Sequence, residues 1–253
     1  MKFGRKSRAG LLLACAAAVA FAVALLPPFP QPQDYHRFAD ARALFGVPNF
    51  LDVVSNLAFL AVAAAGLTAV LRSSSFAGSA ERLPYVLLFL SLAATAFGSA
   101  WYHLAPDNAR LFWDRLPISV CFAALLCIVI AERYSARAGR MLLLPLITVG
   151  AGTVWYWLWS ETRGAGNVLP YFAFQLYALL AILSLMRLFP PRYSRGTDLY
   201  RAALLYGAAL AAELLDRPIL ALGEIVSGHT LKHLLAALAI YQVVRMLRLR
   251  TRV

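Results

Sequence analysis

Eight stretches of this chain, at 10–26, 50–71, 83–104, 112–131, 141–159, 168–186, 199–215 and 228–244, are each mainly apolar over roughly the 20 residues that a helix needs to cross a hydrocarbon layer about 30 Å thick. In hydrocarbon every backbone polar group must be satisfied within the segment or against protein, so segments of this length are expected to be helices packed as a bundle. Composition agrees, since 61% of the residues are hydrophobic and only 14% charged, against about 25% charged in soluble domains. The expected fold class is all-α: a polytopic membrane protein with a seven-helix bundle at 31–253 and one further N-terminal span within 1–30. No long linker is left over for a separate soluble domain.

A net charge of +12 would suit a nucleic-acid partner, but the positions of the charges argue for topology instead. With the N-terminus placed in the cytoplasm, Lys2, Arg5, Lys6 and Arg8 begin a run of basic residues that recurs in every inner loop and ends at Arg245, Arg248, Arg250 and Arg252. Of the 24 Lys and Arg, only Arg37, Arg42, Arg110, Arg115, Arg163, Arg217 and Lys232 fall outside. That bias predicts both termini inside. No nucleic-acid partner is expected.

The first run also fits a signal peptide, having a basic start followed by an apolar stretch. Its exit, Leu26-Pro27-Pro28-Phe29-Pro30, lacks a clear small-x-small cleavage site, which favours an uncleaved anchor, while Ala22 and Ala24 keep cleavage open. In both cases the next segment emerges outside. Cys15, Cys121 and Cys127 all lie in apolar runs and read as small buried residues.

Ionisable groups are expensive within a bilayer, so their clustering is informative. Ser99 and His103 stand one turn apart near the outer end of the third run, and Asp114 is expected in the first turn of the fourth. The last run descends from the same side and opens with His229 and His233, again one turn or about 6 Å apart. Three histidines thus reach one depth by independent counts of the spans. Two imidazoles on one helix and a third on a neighbour suit Zn²⁺ with an open fourth position for water. Such an ion activates water and polarises a carbonyl; Asp114 would move the proton and Ser99 would donate to an oxyanion. Ser55, Asn56, Glu213 and Asp216 are placed to support the histidines or to hold helices together. His36 reads as a surface residue, and Asp114 alone as a helix cap or a partner of Arg115. A structural metal site in a receptor, or a proton relay in a transporter, uses the same residue types; the transporter ranks last because the charges gather toward one side.

At these residues the chain resembles the alkaline ceramidase family, part of a larger group that includes adiponectin-type receptors and haemolysin-III-like proteins. The resemblance covers 49–241 and is carried by Asp52-Val53-Val54-Ser55-Asn56-Leu57, by Gly98-Ser99 through His103 to Asp114-Arg115-Leu116-Pro117, and by Gly228-His229-Thr230-Leu231-Lys232-His233. It implies that Ser99, His103, Asp114, His229 and His233 hold and assist a catalytic zinc. It further implies hydrolysis of the amide of an N-acyl sphingoid lipid to a fatty acid and a long-chain base. Eukaryotic relatives carry an acidic, tryptophan-containing calcium loop before the first core helix; Asp34, Asp40, Asn49 and Asp52 lie there without that pattern, which sets calcium apart from zinc as an expectation. A cell without sphingolipids would supply another acyl lipid.

Overall fold

The computed structural model describes residues 4–76, 78 and 81–253; Lys2, counted above with the inner charges, lies outside them. The described chain is built from α-helices, α1 (Arg5–Leu25), α2 (Phe50–Val54), α3 (Leu57–Arg72), α4 (Arg82–Leu104), α5 (Asn108–Arg133), α6 (Ala136–Thr162), α7 (Leu169–Leu188), α8 (Thr197–Leu214), α9 (Asp216–Gly223) and α10 (Gly228–Leu249), joined by short connections except between α1 and α2, where a longer segment carries a 3-10 turn at Gln33–His36. Taking α2 and α3 as one span, seven of these are long and apolar enough to cross a membrane. The protein is a multi-pass integral membrane protein. The seventh expected run is helical as α8 and packs along α10, but with Asp198, Arg201 and Glu213 in it α8 is not among those seven.

Helix α5 is the most enclosed span and packs against α4, α6 and α7, while α10 fills the space between α3 and α8. Leu88, Phe89, Ala124, Val129, Ala178 and Val243 are fully buried between these helices. The outward faces remain apolar, as Leu71, Phe97, Leu144 and Leu204 show. Cys15 also faces outward instead of being buried, whereas Cys127 is enclosed.

The second span breaks at Ser55-Asn56 between α2 and α3. The break is tolerable because side chains replace the lost backbone partners: Asn56 Nδ2 donates to the Asp52 carbonyl at 2.8 Å and the Val53 carbonyl at 3.3 Å. Helix α1 packs on α7, with the Tyr177 hydroxyl donating to the Leu12 carbonyl at 3.0 Å. The far end of the bundle is closed by ion pairs on buried carboxylates. Asp198 receives Arg195, Arg201 and Arg245 at 2.9–3.1 Å, and Arg250 pairs with Glu132 beside Tyr85.

Candidate metal centre

At the other end, three helix termini meet. Gly98 on α4 lies against α5 so closely that a Cβ there would stand 2.1 Å from the Trp113 carbonyl oxygen. Gly228 at the start of α10 likewise leaves no room for a Cβ, which would fall 2.0 Å from the Ala212 carbonyl oxygen and 2.7 Å from Asp216 Cα. These two glycines let α4 reach α5, and α10 reach the α8–α9 corner, at backbone distance. They bring Ser99, His103, Asp114, His229 and His233 to one level, and all five are buried.

The imidazoles of His103, His229 and His233 form a triangle with ring centroids 4.9, 4.9 and 5.1 Å apart. One nitrogen from each lies within 4.8 Å of the others, close enough to bind a single metal ion. The hydrogen-bond inventory supports that fit. His103 Nδ1 is buried without a partner, an arrangement that is costly unless something occupies it. His233 Nδ1 lies 2.8 Å from the Ser55 hydroxyl, which is itself 3.1 Å from the Asp52 carbonyl. A carbonyl only accepts, so the hydroxyl proton points to Asp52 and the hydroxyl oxygen accepts Nδ1–H; the Nε2 lone pair of His233 is left for a ligand. Three neutral imidazoles are a donor set compatible with zinc.

The neighbouring carboxylates divide their work. Glu213 Oε1 stands 3.9 Å from His229 Nδ1, accepts the Tyr35 hydroxyl at 3.1 Å and pairs with Lys232. Burial, with Glu213 adding to it, pushes the Tyr35 phenol up, which keeps it a donor. Asp216 acts on the backbone instead of on an imidazole: its Oδ1 accepts the His229 amide at 2.8 Å and its Oδ2 the Ala39 amide at 3.0 Å. Together with Ser227, whose hydroxyl accepts the Thr230 amide at 3.0 Å, it satisfies donors left open in the first turn of α10. Asn56 is likewise occupied by the α2–α3 break and not by a histidine. Ser99 faces Asp114 closely enough to interact with its carboxylate.

Several expectations need correction. Helix α5 starts at Asn108 and is capped by Asp107, which accepts the Arg110 amide at 2.7 Å, so Asp114 is not its cap and lies beyond its first turn. Asp114 also forms no ion pair with Arg115; that guanidinium donates to Gln31 Oε1 at 2.6 Å. His36 is not a free surface residue. Its Nδ1 is 2.9 Å from the Tyr102 hydroxyl and its Nε2 3.0 Å from Asn108 Oδ1. Lys232, read as an outer charge, is folded in against Glu213.

What the sequence left unassigned is the segment between α1 and α2. It crosses the histidine end of the bundle, and Phe38 sets its ring 4.5 Å from His103 and 4.9 Å from His229. Asn49 donates to the His103 carbonyl at 2.8 Å, supplying a partner at the C-terminal end of α4. The four residues weighed for calcium do not converge. Asp34 pairs with Arg37 on the surface, Asp40 with Arg42, Asn49 with the His103 carbonyl, and Asp52 accepts the Thr230 and Ser227 hydroxyls at 2.6 and 3.3 Å.

Below the triangle runs a cavity of about 600 Å³. Ser99, Asp114, Arg115, Lys232 and His233 line its polar end, and Leu92, Phe122, Leu125, Leu179, Ile182 and Leu199 line much of the rest. Val23 and Leu26 at the end of α1 also contribute. Helices α7 and α8 border it without packing closely on each other. Its size is within the roughly 300–1,000 Å³ typical of small-molecule sites. In comparisons with protein-family models, curated proteins and solved structures, nothing matches this chain.

Proposed function

We propose that the protein is a zinc-dependent intramembrane hydrolase that cleaves the amide of N-acyl lipids, releasing a fatty acid and an amine-bearing base. The observation that carries this reading is the joining of a buried three-imidazole cluster and a carboxylate, Asp114, to one long apolar cavity. The resemblance to alkaline ceramidases points the same way, with ceramide-like lipids as the first substrates to try. The excess of basic residues in the inner loops supports a topology with both termini in the cytoplasm and the histidine end toward the outer face.

His103, His229 and His233 would hold the ion. When bound it would supply Lewis acidity toward the amide carbonyl and lower the pKa of water. The chain's own residues do the rest. The apolar wall, with Leu179 and Ile182, holds the acyl chain and excludes water. Asp114 takes a proton from the attacking water and delivers it to the leaving nitrogen. Ser99, next to that carboxylate, is free to turn its hydroxyl toward the carbonyl oxygen once Asp114 carries the proton. Ser55 fixes the His233 ring, and Phe38 packs against two of the imidazoles.

Fatty-acid release from a panel of N-acyl lipids, beginning with ceramides, tests the proposal in protein with and without prior chelation. Release that disappears on chelation and returns with zinc supports it. A protein that retains zinc and releases no fatty acid from any acyl lipid is a receptor or sensor with a structural metal.

A further inference from the structure

We propose that Arg115 forms a carboxylate subsite at the polar end of the cavity, so that preferred substrates are N-acyl amino acids, whose acid group lies close to the amide. This rests on the hydrolase reading above and names the substrate class of the same site.

Two cations line the cavity, Lys232 and Arg115. Lys232 is neutralised by Glu213. Arg115 is only 2% exposed, and among the described residues no carboxylate forms an ion pair with it. Its Nη2 donates to Gln31 Oε1 at 2.6 Å, while its Nη1 is buried without any hydrogen-bond partner. The rings of Trp157, Tyr171, Tyr35 and Phe172 stand 4.4, 5.0, 5.5 and 5.6 Å from the guanidinium carbon. Aromatic faces and one amide oxygen hold the cation in place without cancelling its charge. A buried guanidinium with an idle N–H is unfavourable until an anion meets it.

The geometry also selects the anion. Arginine forms strong, directed bonds to planar carboxylates. A doubly charged phosphate would face Asp114, the preceding residue on α5, whereas a single carboxylate charge is opposed less. The carboxylate freed by hydrolysis forms at the scissile carbon beside the imidazoles. Arg115 is set among rings of α6 and α7, and a group on the amine side of the amide would meet it there. Hydrolysis would break the amide C–N bond and form a C–O bond to the water oxygen. The water proton passes through Asp114 to the nitrogen, and the products are a fatty acid and a free amino acid.

The test compares N-oleoylglycine with its methyl ester, which removes the charge and adds one methyl group, for binding to the full chain in mild detergent after chelation, so that no metal contributes. The parent is expected to bind the acid at least about tenfold more tightly, Arg115→Met to lose that preference, and Arg115→Lys to keep part of it. Equal binding of acid and ester by the parent overturns the subsite without reference to any variant, as does a preference that survives in Arg115→Met. Hydrolysis of the same pair by zinc-loaded protein is read separately. Selective binding with no fatty acid released from this pair or from ceramides overturns the hydrolase reading and leaves the subsite standing, while equal release from acid and ester overturns the subsite alone.

Discussion

The Ser55 hydroxyl stands 2.8 Å from Nδ1 of His233, joining the break between α2 and α3 to an imidazole on α10. The contact fixes both the tautomer and the tilt of the ring. Ser55→Ala is therefore expected to weaken metal binding by about 10- to 100-fold while leaving the metal bound when it is in excess. Ser55→Thr, which keeps the hydroxyl, should behave like the parent. Competition with a chromogenic chelator measures this, and unchanged affinity in the alanine variant would remove Ser55 from the account.

Asp114 touches no metal-ligating nitrogen in the proposed scheme and works only on protons. Asp114→Asn should keep the metal and the fold and lower turnover by roughly 10²- to 10⁴-fold. Full turnover in that variant would sink the proton-transfer role.

Gly98 is the point where α4 and α5 come into backbone contact. Gly98→Ala forces those helices apart beside Ser99 and Asp114 and should cost about 1–3 kcal/mol, a fall of several degrees in the detergent melting temperature. Gly152 on α6 has nothing within 4 Å of an added Cβ, so Gly152→Ala should not destabilise the protein. Equal melting temperatures for the two variants would show that the contact at Gly98 is not required.

Asp40 holds the segment between α1 and α2 through Arg42, which also donates at 2.8 Å to the carbonyls of Glu224 and Ile225. The bond from Arg42 keeps the Asp40 carboxyl below the usual carboxylate range. A lowered folded-state value contributes stability above the unfolded value, about 3.9, and that contribution is lost as pH falls through the folded value. Proteolysis of this segment should thus be slow from neutral pH to about pH 4 and accelerate below it. Asp40→Asn should be cleaved faster already at neutral pH, and identical cleavage of the two proteins would contradict the tether.

The spans were readable because hydropathy and length are properties of single segments, and the histidines could be brought together by counting crossings from His103 to His229. Tertiary placement decided the rest. The stretch holding Tyr35, His36 and Phe38 has no periodicity to announce that it folds over the imidazoles. Lys232 and Arg115 look like boundary charges in the sequence, and only the positions of Glu213, Gln31 and Trp157 give them buried partners. Ser55-Asn56 sits inside a run long enough to read as one helical span, so the helix break there depends on side chains that take over backbone bonds. The polar residues of α8 cluster on partners from other helices, Asp198 with Arg245 and Glu213 with Lys232, which a count of charges along one segment does not reveal.

The central claim is that three imidazoles hold one metal ion, and elemental analysis tests it most directly. The full chain, purified in mild detergent without chelators, should contain close to one zinc per molecule, and His103→Ala and His233→Ala should each lose it while remaining folded. A folded parent without metal that also fails to take up added zinc would contradict the account.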